Sequence, residues 1–516
     1  MASKLKDFEN AEKKGAPLSS IEYNSFSFYE INGKIRWRLS SSSSLAFTFF
    51  ISDDWIKNYG QENYEKEYSS FRNSLKNERY KDNYCIGNKG LSLTHVKNFG
   101  SLFWKNTFSM SDYNTESDNL SDEDIGKKSH VMYKTKIITE IKDITYQSRI
   151  EYNTGIHKVK SGIEINHYNF NPGFKVYEYD VDTISSDVSE SGYHTNSKAW
   201  ENSFYINDEI GITDNYSLEC GVRTTLYHIS NFNYKSFEPR ISMRYLLSNN
   251  LSLKMNYTSM SQYNHVMVNN NNGAEEEVWI ASTKGVKPQK ANQVSVGLFY
   301  GNDDKRVNMS VEAYYKQMKD LIEYRSLYDE EEQLVKLEDA IFKGGKGIAY
   351  GIETFVSKDF SNLSLSLSYT LSKNKRQFND LNGGKWFPFV YDRTHDLSLI
   401  VHYRFNKKWT IDGNFVYSTG RPCTLPIGEV PYCGILGSDH YVYGETNSYR
   451  MPDYHRFDLG VKRYFETQRG LKSQLTMNIY NVYARQNATA VYYREGVLMQ
   501  SCMFTIIPTI SYTIML

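Results

Sequence analysis

The chain has 516 residues, and its 60 basic side chains are matched by 60 acidic ones, so it carries no formal net charge. That balance argues against a binder of phosphate backbones, which would carry a basic excess or stripe. No apolar run approaches the roughly 20 residues that a transmembrane helix needs, whereas membrane strands, at about ten alternating residues each, would disappear into a polar average.

Aromatic residues make up 15%, with 43 Tyr, 27 Phe and 7 Trp. Tyrosine suits a lipid headgroup boundary because it joins an apolar ring to a polar tip, although a tyrosine-rich soluble β protein would share that composition. The opening "MASKLKDFENAEKKG" has no apolar core of a secretory signal.

From there the chain reads as a series of two-faced strands. Period-two alternation predicts strands near 26–40, 45–57, 87–97, 101–113, 133–153, 156–169, 198–212, 215–229, 236–247 and 250–261. It predicts nine more near 291–301, 306–320, 347–358, 362–373, 394–405, 408–418, 455–466, 472–483 and 503–515. "NLSLSLSYTLSK" (362–373) is the plainest case, with Leu363, Leu365, Leu367, Tyr369 and Leu371 on one face and Ser364, Ser366, Ser368, Thr370 and Ser372 on the other. Leu399, Val401 and Tyr403 are expected to meet Ile411, Phe415 and Tyr417 across the next hairpin. Tight links such as "NK" (406–407) alternate with long polar excursions such as 262–290, 321–346 and 419–454. Short turns at one rim and long loops at the other describe an outer-membrane barrel, with one face on lipid and one on a wet lumen.

Particular strings then become specific. "FEPRISMRY" (237–245), "GKGIAYGIETFVSKDFSNLSLSLSYTLSKNKRQF" (345–378), "FPFVYDRTHDLSLIVHYRFNKKWTIDGNFVYSTGRPCTLP" (387–426), "MPDYHRFDLGVKRYF" (451–465) and "NIYNVYARQN" (478–487) resemble the barrel of TonB-dependent outer-membrane receptors, particularly those of Bacteroides-like bacteria. The ending "FTIIPTISYTIML" is similar to their last strand, with Leu516 where an aromatic residue is usual. The resemblance implies an all-β transmembrane antiparallel barrel supplying about 19 of 22 strands. It also implies long extracellular loops, short periplasmic turns and residence in a Gram-negative outer membrane. On that layout, residues 1–25 read as an extracellular loop remnant and 26–516 as a barrel incomplete on its N-terminal side. No plug domain is visible, so Met1 would fall before the family's fourth strand. An odd-stranded barrel closed by parallel end strands is the alternative.

The implied function is uptake of a scarce nutrient of the siderophore, cobalamin or glycan class, with outer-membrane lipid, a small-molecule or oligosaccharide ligand, TonB and a plug as partners and no nucleic acid. A chain without a plug would not be transport-competent alone. A plugless passive channel and a soluble β-rich surface adhesin are the other readings.

Glu238, Arg240 and Arg244 alternate with Ile241, Met243 and Tyr245 and are candidates for the lumenal face, as are Asp396, His402, Asp412, Arg456 and Asp458. "YDRTHDL" (391–397) offers Asp392, His395 and Asp396 without an arguable nucleophile, and "PDYHRFD" (452–458) matches no strong ligand template, so no catalytic, metal or cofactor site is assigned. The acidic runs 274–279 and 329–333 read as solvated loops, and "GGKG" (344–347) as a turn. Cys423 and Cys433 lie ten residues apart in one loop, as either a local disulfide or two unrelated thiols.

Overall fold

The computed structural model describes residues 19–67, 73–125, 129–182, 186–194, 196–269, 276–325, 335–336, 338–430, 440–466, 470, 472–494, 497–502 and 505–515. Twenty-one strands join one antiparallel sheet. Two of them, Ser186–His194 and Phe387–Pro388, pair only along the upper ends of longer strands.

The other nineteen run in chain order. They are β1 (Ser19–Ser40), β2 (Ser43–Glu67), β3 (Asn73–Asn98), β4 (Leu102–Ile125), β5 (Ser129–Thr154), β6 (His157–Asp182), β7 (Ser197–Thr213), β8 (Tyr216–Ile229), β9 (Phe232–Ser248) and β10 (Leu251–Gln262). There follow β11 (Gln289–Asn302), β12 (Val307–Tyr324), β13 (Ile341–Asp359), β14 (Leu363–Gln377), β15 (His395–Arg404), β16 (Trp409–Ser418), β17 (Tyr454–Glu466), β18 (Lys472–Tyr480) and β19 (Ile507–Met515). Among the described residues, β1 pairs only with β2 and β19 only with β18, and the two end strands are not paired in parallel.

The alternation behaves as expected where lipid-like demands apply. Leu367 of β14 stands opposite Val356 and Leu399, Leu365 opposite Val401, and Leu363 opposite Tyr403. Leu399 meets Phe415, Tyr403 meets Ile411, and Val401 meets Gly413. The serines face a different set: Ser364 is opposite His402, Ser368 opposite Ser398 and Thr370 opposite Asp396.

The first strands depart from expectation. β1 begins at Ser19 rather than near 26, and β2 to β6 run 24 to 26 residues where segments of 11 to 21 are predicted.

The outer face shows why. Next to the turns it carries Phe108, Met110, Ile144, Tyr146, Ile150 and Tyr152, all more than a third exposed. Past Met110 the same face changes to ion pairs: Lys142–Asp112 at 3.9 Å, Lys136–Glu116 at 2.7 Å, Lys134–Asp118 at 3.3 Å and Arg79–Asp122 at 3.0 Å. Leu102 to Met110 is about the nine to eleven residues that cross a hydrocarbon core. Beyond it the strands stay paired although nothing requires an apolar face. Sequence that is polar on both faces therefore reads as loop while the backbone ladder continues. "GGKG" is likewise strand rather than turn: it lies inside β13, beside a register shift against β12.

The polar face is concave. The connection between β10 and β11 folds into a small hairpin, Asn264–Asn269 paired with Glu276–Ala281. Its Met267, Val278 and Ile280 form a core with Ile322 of β12 and Ile341 of β13, against which Ile137 of β5 also packs. Tyr263 and Ala281 pack with Phe170, Ala199, Tyr227 and Ile229 of β6 to β8. On a flat sheet β5 and β12 would lie about 34 Å apart at roughly 4.8 Å per strand. One narrow hairpin touches both only because the sheet curves around it.

Candidate functional site

Register carries one face continuously across the sheet. Arg240 of β9 stands opposite Thr258, Thr258 opposite Gln293, Gln293 opposite Lys316, Lys316 opposite Ala349 and Ala349 opposite Asn374. Counting down β14 in twos reaches Thr370, which is opposite Asp396, then Ser418, then Tyr454. Because strand side chains alternate, Glu238, Arg240, Arg244, Asp396, His402, Asp412, Arg456 and Asp458 all stand on this concave face.

Four of the eight are joined in two pairs. His402 Nδ1 lies 2.5 Å from Asp412, which Lys462 also approaches at 2.8 Å. Arg456 pairs with Asp458 at 2.9 Å and lies over the Tyr480 ring, while Asp458 accepts the Asn481 backbone N–H at 2.9 Å. Glu238 is buried and accepts from the Ser236 hydroxyl at 2.5 Å. Asp396 is exposed. Alternation splits "PDYHRFD": Arg456 and Asp458 point to the concave face, while His455, on the opposite face, meets the Tyr483 hydroxyl at 2.8 Å.

The mouth above these strands is built from loops whose contacts the sequence does not announce. In the loop between β14 and β15, Asp392 is almost wholly buried. One oxygen accepts the Asn374 N–H at 2.6 Å, and the other accepts from Arg450 at 2.6 Å. Arg450 also donates to the Asp392 and Gly420 carbonyls, at 3.0 and 2.6 Å. Asn382 and Thr446 exchange hydrogen bonds at 3.0 and 2.8 Å, and Asn447 donates to the Pro388 carbonyl. Arg421 reaches the Thr489 carbonyl at 2.8 Å, and Cys423, Met451 and Val491 form a shared core. Three successive loops are thereby interlocked. At Gly420 a Cβ would lie 1.7 Å from the Met451 carbonyl oxygen, so only glycine permits this approach. Asp453 accepts the Gly420 N–H at 3.0 Å, and that bond holds its carboxyl below the usual range.

The inward hairpin is tied to this block where the Tyr391 hydroxyl donates to Glu277 at 2.6 Å. Its root is held by His265, which is fully buried. Gln289 donates to His265 Nδ1 at 2.9 Å, which leaves Nε2 to donate to Ser282 at 2.8 Å. Burial lowers this imidazole to about 4.

By composition 262–290 is expected to be a polar excursion and the acid run at 274–279 to be solvated. The alternation in "HVMV" and "EVWIA" is the signal that finds this hairpin. The run 329–333 and Cys433 lie outside the described residues. Cys423 is buried, and burial pushes its thiol up to about 11.

Residues 19–482 match the family described as TonB dependent receptor-like, beta-barrel. The chain belongs to that family. Solved structures share the fold at low identity. The FpvA receptor of P. aeruginosa bound to a heterologous pyoverdine is 14% identical with a TM-score of 0.58, over 96% of this chain and 71% of that one. BauA, the ferric preacinetobactin receptor of Acinetobacter baumannii, is 11% identical with a TM-score of 0.58, over 96% and 79%. Fiu, the ferric-catecholate import receptor of E. coli K12, is 13% identical with a TM-score of 0.54, over 96% and 80%. A comparison with curated protein sequences finds no match. Members of this family are outer-membrane β-barrels that bind small molecules such as siderophores and interact with TonB.

Proposed function

We propose that this TonB-dependent receptor barrel captures a scarce nutrient of the siderophore, cobalamin or glycan class at the surface of a Gram-negative outer membrane. In this reading the apolar outer band meets lipid, and Glu238, Arg240, Arg244, Asp396, His402, Asp412, Arg456 and Asp458 line a lumen beneath the mouth. Capture and passage, rather than catalysis, are the tasks assigned to these groups. The observation that carries the reading is the mouth itself: a hairpin folded onto the concave face and tied by Tyr391 to three interlocked loops.

The test is titration calorimetry of the full chain in lipid nanodiscs against ferric siderophores, cyanocobalamin and oligosaccharides. Saturable binding of one class, with slower hydrogen exchange in 264–281 and 378–394, is expected. If no class binds while planar bilayers show steady ion conductance, the chain is a passive channel. Release from membranes without detergent would indicate the adhesin.

A further inference from the structure

On the convex face, four neighbouring strands end their apolar runs on the same chemistry. Followed from the short turns toward the long loops, the outward run closes at Val294 in β11, Tyr315 in β12, Ile348 in β13 and Leu371 in β14. Val294, Tyr315 and Leu371 are 54%, 44% and 40% exposed. Alternation then makes the next outward charge Lys290, Lys319, Lys346 and Lys373 in turn, with Lys375 one outward step further.

These positions lie together. Lys290 stands directly opposite Lys319. Lys319 and Asp320 together face Lys346 across a bulge. Lys346 is opposite Gln377, which makes Lys375 its diagonal neighbour. Directly opposed like charges disfavour strand pairing. Among the described residues neither these five lysines nor Asp320 forms an ion pair; Lys373 donates to the Thr394 hydroxyl at 2.7 Å.

The tall wall builds the same edge differently. There the first outward charges of β3 to β5 fall in one row as Lys89, Asp112 and Lys142, and Lys142 pairs with Asp112 at 3.9 Å and with Glu140 at 2.5 Å. Signs alternate and cancel on that side, whereas over β11 to β14 positive charges stand uncompensated directly above an apolar band. At the boundary the rings of Tyr315 and Tyr350 stack, with centroids 6.5 Å apart, and tyrosine suits the level of a lipid headgroup.

We propose that Lys290, Lys319, Lys346, Lys373 and Lys375 form a docking surface for a phosphorylated lipid of the leaflet on the loop side, its phosphates among the ammonium groups and its acyl chains along the outward face of β11 to β14. Such a lipid turns opposed cations into charge-assisted contacts, and clustered lysines draw anionic headgroups. A soluble anion would use the lysines but not the band, and a neutral lipid the band but not the lysines. The inference rests on the apolar band facing lipid, not on uptake of any nutrient.

The test is native mass spectrometry of the full chain in detergent, titrated with bis-phosphorylated lipid A, its dephosphorylated form and phosphatidylcholine. A saturable adduct with the bis-phosphorylated lipid is expected, with both others at least about tenfold weaker. Joint Lys290→Gln, Lys319→Gln, Lys346→Gln and Lys375→Gln should weaken that adduct by about tenfold or more. The lipid-free variant should hold or raise its unfolding midpoint, because opposed cations are gone. Arginine at the same four positions should keep the adduct, and joint Lys89→Gln and Lys142→Gln on the tall wall should leave it unchanged. Excess inorganic phosphate should not displace the lipid. Unchanged affinity in the glutamine set, loss in the arginine set, an equal loss in the tall-wall variant, equal binding of phosphatidylcholine, or displacement by inorganic phosphate would each overturn the proposal. A chain that holds this lipid but binds no nutrient would sink the uptake reading and leave this surface standing.

Discussion

The two sides of this barrel reach the outer mouth by different means. β2 to β6 simply continue, their backbones paired to 24–26 residues and their outer faces laced with ion pairs. β15 to β18 stop after 9–13 residues and hand over to loops that hold one another through buried polar contacts. The first solution spreads its stability over many equivalent backbone hydrogen bonds. The second concentrates it in a few groups, above all Asp392 and Arg450, and should fail abruptly when one is lost.

The strongest way to break this contrast is Arg450→Ala. It leaves the buried Asp392 carboxylate without its cation and is expected to cost the loop block about 3–5 kcal/mol. Hydrogen exchange should rise across 378–394 and 419–430 and stay unchanged in β2–β6; equal effects in both regions would erase the distinction. Adding Asp392→Asn should recover part of the loss.

Acidification comes next. His265 is held neutral in the fold, so the unfolded hairpin takes up a proton first. Its stabilising contribution is complete above pH 6.5 and is lost as pH falls through about 4, an effect of about 3 kcal/mol. Proteolysis within 264–281 should increase over that window, and His265→Gln should flatten the response.

Tyr391→Phe removes the hydrogen bond from Tyr391 to Glu277 that ties hairpin to loop block and should cost about 1 kcal/mol. The change should be visible as faster exchange in 276–281 alone. Smallest of all is Lys136→Ala on the tall wall, expected to change unfolding free energy by less than about 0.5 kcal/mol. A larger loss would show that the outer ion pairs, rather than the backbone ladder, hold that wall up.

Much of this architecture is legible in the chain. All nineteen long strands are signalled by alternation, and the matching of Leu399 and Tyr403 to Phe415 and Ile411 across the short turn between β15 and β16 follows from it. What escapes notice is the upper wall, because "YNTESDNLSDEDI" (113–125) is polar on both faces and carries no period to read. The mouth escapes too. Asp392 looks like one more rim carboxylate, and only the fold shows that it is almost fully buried and bonded to a strand and to a second loop.

Alternation by itself determined that each strand has an oily and a wet face, because side chains of successive strand residues must point to opposite sides whatever surrounds them. Tertiary structure alone decided which wet residues meet. Curvature brings Tyr391 to Glu277 across 114 residues of chain, and strand register sets Arg244 against Lys254. Contacts of that kind depend on where distant segments are carried, and no local pattern encodes it.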